Sequence, residues 1–161
     1  MTDYTHPISE LQKTDRIYHG TPEWKLFRLL NEGISVKEAN KYQDNKKVQF
    51  ITPSLEEAIY FTHHVHLMFD DRNKYLGVFE INPKKLSKRI RDSFKQDKMN
   101  PTSLVTFRSI PVDAYEKLIL IDVNGNRNDM VKTAHKIKRD YAIDVIAIDY
   151  DLKLRRFNYK Q

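Results

Sequence analysis

Arg16-Ile17-Tyr18-His19-Gly20-Thr21 sets an imidazole, a residue without a side chain and a hydroxyl in succession. A neutral imidazole both donates and accepts, which suits a sugar hydroxyl. Glycine lets the backbone approach a ligand closely. The stretch reads as a strand that delivers His19 to a tight turn, with a helix starting at Thr21-Pro22. Backbone N–H groups at such a helix start can be donated to a nucleotide. A second group of polar side chains is His63, His64 and His66, of which His63 and His66 share a helical face. Two histidines with Asp70 or Asp71 would begin a zinc set. A full set is not evident, so a solvated helix end is the default and no metal site is assigned. No Ser–His–Asp signature, phosphate-cradling loop or dinucleotide-binding glycine fingerprint is present.

The elements that must hold these residues follow from periodicity. Residues 1–15 are polar and read as a loose segment. Residues 16–19 read as a strand. Thr21 can cap the next helix, Pro22 fits its first position and Gly33 fits just past its end. Leu26, with Trp24, Phe27 and Leu30, marks its apolar face. Residues 35–46 read as a surface loop. Val48 to Thr52 reads as a strand, and Ser54-Leu55-Glu56-Glu57 has capping-box spacing for a helix from Ser54. Leu76 to Ile81 reads as a strand closed by Asn82-Pro83, and a basic, partly helical stretch follows. Ser103 to Ser109, Lys117 to Val123 and Asp144 to Tyr150 read as strands. Met130, Ala134 and Ile137 mark a helix between the last two. This order implies an α+β fold in one domain, residues 16–161.

Composition narrows the classes. The 161 residues suffice for one core, and 40% hydrophobic with 31% charged residues is ordinary for a globular protein. With no cysteine, neither a disulfide framework nor a thiolate metal site is possible. No apolar run approaches a membrane span and no signal-peptide pattern opens the chain, so the expectation is a cytoplasmic protein that does not engage membranes. Plentiful Lys, Asn, Ile and Tyr suggest an AT-rich genome, such as those of some bacteria and phages. The net charge of +6 gathers at Lys84, Lys85, Lys88, Arg89 and Arg91, and again at Lys153, Arg155 and Arg156. Such clusters are compatible with a phosphate-bearing partner. A solvated surface is the preferred reading, because no aromatic-interleaved nucleic-acid motif accompanies them.

Tyr18-His19-Gly20-Thr21 resembles the first motif of the ADP-ribosyltransferase superfamily, which includes diphtheria toxin and the poly(ADP-ribose) polymerases. The run from Phe50 through Thr52 and Ser54 to Ala58-Ile59-Tyr60-Phe61 is similar to the second motif. The resemblance covers about residues 16–115 and implies mixed central sheets, a nucleotide cleft and flanking helices. It implies NAD as co-substrate, held by Tyr18, His19, Gly20, Thr21, Thr52 and Tyr60. His19 would orient the ribose, Gly20 would hold the nicotinamide amide, and Tyr60 would stack on the nicotinamide ring. The strand tyrosine common in the family falls at Ile51, so one aromatic wall is missing, and Phe50 or Phe61 is a substitute. The third motif, before Ser109-Ile110-Pro111, usually carries a glutamate that stabilises the charge left as nicotinamide departs. Thr106, Phe107 and Arg108 stand there instead. The catalytic candidates are therefore His19, Tyr60 and Arg108.

The resemblance implies transfer of ADP-ribose to a protein or nucleic-acid acceptor. One alternative is a catalytically degenerate relative, such as a phage or bacterial modulator, that binds NAD, ADP-ribose or an ADP-ribosylated partner. Another is an RNA 2′-phosphotransferase-like activity, whose Arg/His set would be Arg16, His19 and Arg108.

Overall fold

The computed structural model describes residues 8–35, 49–64, 75–97, 102–122 and 125–149. The chain runs α1 (Ile8–Leu11), β1 (Ile17–Pro22), α2 (Leu26–Glu32), β2 (Gln49–Ile51), α3 (Leu55–Thr62), β3 (Tyr75–Ile81), α4 (Lys88–Arg91), β4 (Lys95–Gln96), β5 (Leu104–Thr106), β6 (Tyr115–Asp122), α5 (Arg127–Tyr141) and β7 (Asp144–Asp149). This is an α+β architecture with two sheets. The larger has strand order β1-β3-β6-β7 and the smaller β2-β5-β4. The first three strands of the larger sheet are antiparallel, while β6 and β7 are parallel and joined through α5.

All seven residues of β3 are buried, because both faces of the larger sheet carry a core. Side chains alternate between the faces. Ile17, Phe79, Ile81, Leu118, Leu120, Val145 and Ala147 pack on one side with α2 and α5. Tyr18, Leu76, Val78, Ile119, Ile121 and Ile148 pack on the other with α1 and α3. α1 lies where a loose segment was expected. Ile8 and Leu11 are its buried anchors, which two isolated apolar residues in a polar stretch did not signal.

The expected helix start at Thr21-Pro22 is corrected. β1 continues through both residues, pairing Thr21 with Gly77 and Pro22 with Leu76. A 3-10 turn at Glu23–Lys25 then leads into α2. Buried Thr21 donates its hydroxyl to the Pro22 carbonyl and caps nothing. Gly33 does close α2, in the left-handed region at φ 82°, with the Ile110 carbonyl packed where a side chain would begin. Trp24, expected on the apolar face, is exposed, and Leu26, Leu29 and Leu30 form that face.

Two isolated bridges tie the smaller sheet to the rest. Tyr18 and Thr52 exchange backbone hydrogen bonds of 2.7 and 3.0 Å, and Ile34 and Ile110 exchange two of 2.9 Å. The space between these ties is the cleft. The expected loop at 35–46 falls almost wholly outside the described residues, as do His66, Asp70, Asp71 and the basic residues beyond 149.

Candidate functional site

The cleft holds a cavity of about 330 Å³ between β1, α2, β2 and α3, reached also by Asp97 and Ser103. Burial sorts its lining. Thr21, Ile51, Thr52, Asp97 and Ser103 are buried and form the floor, whereas Lys25, Arg28, Phe50 and Phe61 are partly or fully exposed and form the rim. The volume lies at the low end for small-molecule sites.

His19 reaches the cavity because it sits on the β1 face opposite Tyr18. Its Nδ1 lies 2.8 Å from the Phe50 carbonyl oxygen. A carbonyl only accepts, so Nδ1 is the donor in this contact, and in a neutral ring the lone pair is then at Nε2. That atom can accept a hydrogen bond from a sugar hydroxyl.

Gly20 lines the cavity, but its missing side chain answers first to packing. A Cβ there would overlap the Thr62 hydroxyl and lie 2.8 Å from the Ala58 carbonyl oxygen, so glycine is what lets α3 sit against β1. Thr52 is buried, and its hydroxyl accepts from the Ser54 N–H at 3.1 Å. Ser54 caps α3 as expected, accepting from the Glu57 N–H at 3.2 Å. Glu57 does not close a capping box. Its buried carboxylate accepts from the Ser103 hydroxyl at 2.6 Å and from the Thr102 hydroxyl at 2.8 Å, pinning the approach to β5 against α3.

The other candidates are placed differently. Tyr18 borders the cavity, yet its ring is packed in the core under α1 and α3. Its hydroxyl accepts from the Lys13 N–H at 2.9 Å, and burial pushes the phenol up to about 12. Tyr60 is not among the described lining residues. Its ring stacks on His64 at 5.7 Å and meets Phe61 edge-on. Successive helical residues face different ways, so Phe61 lines the cavity in its place.

Arg108 is also absent from the described lining. Its guanidinium lies 5.2 Å from the centre of the Phe107 ring, its backbone N–H donates to the Thr106 hydroxyl, and its buried Nε has no hydrogen-bond partner among the described residues. Thr106 Oγ1 lies 2.6 Å from the Ser93 hydroxyl. Arg16 is paired with Asp15 at 2.8 Å and approaches Glu80 and Glu116, away from the cavity. The Arg16–His19–Arg108 set is therefore not assembled in this cavity.

No family model matches the chain, and no curated protein matches its sequence.

The sequence reading missed Asp97, the sole acid among the described lining residues. It follows a two-residue strand and is placed by its N–H donating 2.9 Å to the Ser103 carbonyl. A two-residue strand has no periodicity to detect. Lys25 and Arg28 were also missed, although three-residue spacing just after the glycine turn is a readable signal. Among the described residues no group of three or more His, Asp and Glu is arranged to hold a metal ion. None of the described helices is long and apolar enough to cross a membrane.

Proposed function

We propose that the chain is an ADP-ribosyltransferase-like protein that binds NAD in this cleft and passes ADP-ribose to a protein or nucleic-acid acceptor. The observation that carries this reading is the meeting of the two motif-like segments in one cavity: His19, Gly20 and Thr21 from β1, with Thr52 and Phe61 from the β2–α3 side. His19, oriented by the Phe50 carbonyl, accepts from a hydroxyl of the nicotinamide ribose. Phe61 supplies the aromatic surface assigned to Tyr60 from sequence. In transfer, the bond between nicotinamide nitrogen and the ribose anomeric carbon breaks, and nicotinamide leaves with the electron pair. An acceptor atom then bonds that carbon and loses its proton to solvent or a base. Asp97 is the one acid among the described lining residues.

A second reading is a binder without turnover. The expected third-motif stretch offers Thr106, bonded to Ser93, and Arg108, off the described cavity lining, and neither stabilises a developing cation. One experiment separates the readings. NAD should raise the melting temperature of the wild type, and His19→Ala should lose most of that rise while keeping its own ligand-free melting temperature. Labelled NAD with cell lysate should then mark a discrete acceptor in the wild type and not in His19→Ala. Binding without labelling selects the second reading. No thermal shift at millimolar NAD removes the transferase reading and leaves only a binder of ADP-ribose or of an ADP-ribosylated partner, which a thermal shift with ADP-ribose tests next.

A further inference from the structure

We propose that the basic segment from Lys84 to Lys95, together with Phe107, is a docking surface for single-stranded nucleic acid. The cations address backbone phosphates, and the Phe107 ring receives an unstacked base. The inference goes beyond the reading of the cleft and stands whether or not the cleft takes NAD.

Three observations carry it. First, the segment presents charge of one sign. Residues 83–96 hold six basic side chains, Lys84, Lys85, Lys88, Arg89, Arg91 and Lys95, against one acid, Asp92. All seven are exposed. Lys85 pairs with Glu116 and Lys88 with Asp92. Lys84, Arg89, Arg91 and Lys95 make no ion pair with any described residue. A surface that is merely solvated intersperses the two signs, whereas a stretch of uncompensated cations attracts a polyanion. Second, the apolar side chains of the segment point inward. Leu86 is buried, and Ile90 and Phe94 pack against the core. α4 therefore keeps no apolar face to sink into a lipid surface, which argues against a membrane as the partner. Third, the fold supplies the exposed ring that the sequence does not place among these charges. β4 pairs with β5, Lys95 opposite Val105, and the Ser93 hydroxyl lies 2.6 Å from that of Thr106. These contacts set the end of α4 beside Phe107. That ring is 48% exposed, and the Arg108 guanidinium lies 5.2 Å from its centre. An exposed ring beside a guanidinium offers a base both a stacking surface and a positive charge. The bases of a duplex are already stacked on one another, so this combination suits a single strand.

The test is fluorescence anisotropy with a labelled single-stranded DNA of about twelve nucleotides, titrated at low and high salt without NAD. Neither contact involves the sugar, so a DNA strand is a sufficient probe. The proteins are the wild type, the triple variant Arg89→Gln/Arg91→Gln/Lys95→Gln, Phe107→Ala, and Lys132→Gln/Lys136→Gln/Arg139→Gln, which removes the same charge from α5. All the altered side chains are exposed, and melting temperatures check that each variant is folded. The wild type should bind the strand more tightly than the duplex of the same sequence, and more weakly at high salt. The first triple variant should bind at least about tenfold more weakly, with its slope of log affinity against log salt flatter by about 2, as the loss of three phosphate contacts on a single strand implies. Phe107→Ala should bind about fivefold more weakly or worse with an unchanged slope, the effect of losing one base–aromatic stack. The α5 variant should match the wild type. Equal losses in the two triple variants would assign binding to net charge and overturn the surface. Unchanged binding in Phe107→Ala, or a duplex bound as tightly as the strand, would overturn the single-strand assignment. Displacement of the strand by polyglutamate as effective as by unlabelled DNA would overturn it in favour of an acidic protein segment. No binding at low salt by the wild type would remove the surface and leave the NAD reading standing, since the thermal shift with NAD decides that reading separately.

Discussion

Glu80 is the side chain whose surroundings are most at odds with its charge. It is 1% exposed and lies on β3 between Tyr18 of β1 and Lys117 of β6. Its Oε2 has no hydrogen-bond partner among the described residues, and its Oε1 is 3.8 Å from an Arg16 Nε in the same condition. Burial raises its pKa, against the pull of Lys117, Lys13 and Arg16, while Glu116 adds to the rise. A folded-state value above the ordinary 4.5 means that the native protein binds this proton more tightly than the unfolded chain. The stabilising effect of the proton is present below pH 4.5 and is lost as pH rises through the folded value. Glu116 runs the other way: the Asn82 hydrogen bond and Lys85 hold its carboxyl below the ordinary range, so its contribution is lost only on acidification. Denaturant unfolding of wild type and Glu80→Gln at pH 4.5 and 7 should therefore show stability moving in favour of the variant as pH rises. An unchanged gap between the two proteins would mean that Glu80 titrates as an ordinary carboxylate.

At the scale of elements, the cleft depends on how closely α3 approaches β1. Gly20→Ala drives a methyl group into Thr62 and the Ala58 carbonyl. The expected cost is ~1–3 kcal/mol, read as a lowered melting temperature with no ligand present. A variant as stable as the wild type would show that the helix shifts freely, and Gly20 would then owe its identity to the ligand alone. The regular elements were legible because their apolar residues repeat with the right period: Leu76 to Ile81 in β3, Lys117 onward in β6, and Met130, Ala134 and Ile137 in α5. The Ser54 cap was legible from its spacing to Glu57. Thr21-Pro22 was misread because local capping preference yields to pairing with β3, which lies more than fifty residues away. The site was only partly legible. His19 and Thr52 stand in recognisable segments, but the choice of Phe61 over Tyr60 depends on the rotation of one helix. Asp97 depends on a strand too short to signal itself.

Across the whole molecule, the larger sheet has a core on each face, whereas the smaller sheet joins it through the Tyr18–Thr52 and Ile34–Ile110 bridges. Sub-global opening should follow that division. Native-state hydrogen exchange should give the Tyr18, Ile34, Thr52 and Ile110 amides similar opening free energies, lower than those of Val78 and Ile119 in the double-faced sheet. Equal protection throughout would mean that the two sheets open only with global unfolding. The contact between His19 and the Phe50 carbonyl carries a consequence for how such a protein can diversify. A main-chain oxygen is present whatever amino acid occupies position 50, so that position can exchange its aromatic ring for another side chain and reshape the mouth of the cleft. The proton on the imidazole stays where it is. What would move it is a slip of the β2 segment by one residue against β1 at the Tyr18–Thr52 bridge, a change of alignment rather than of chemistry.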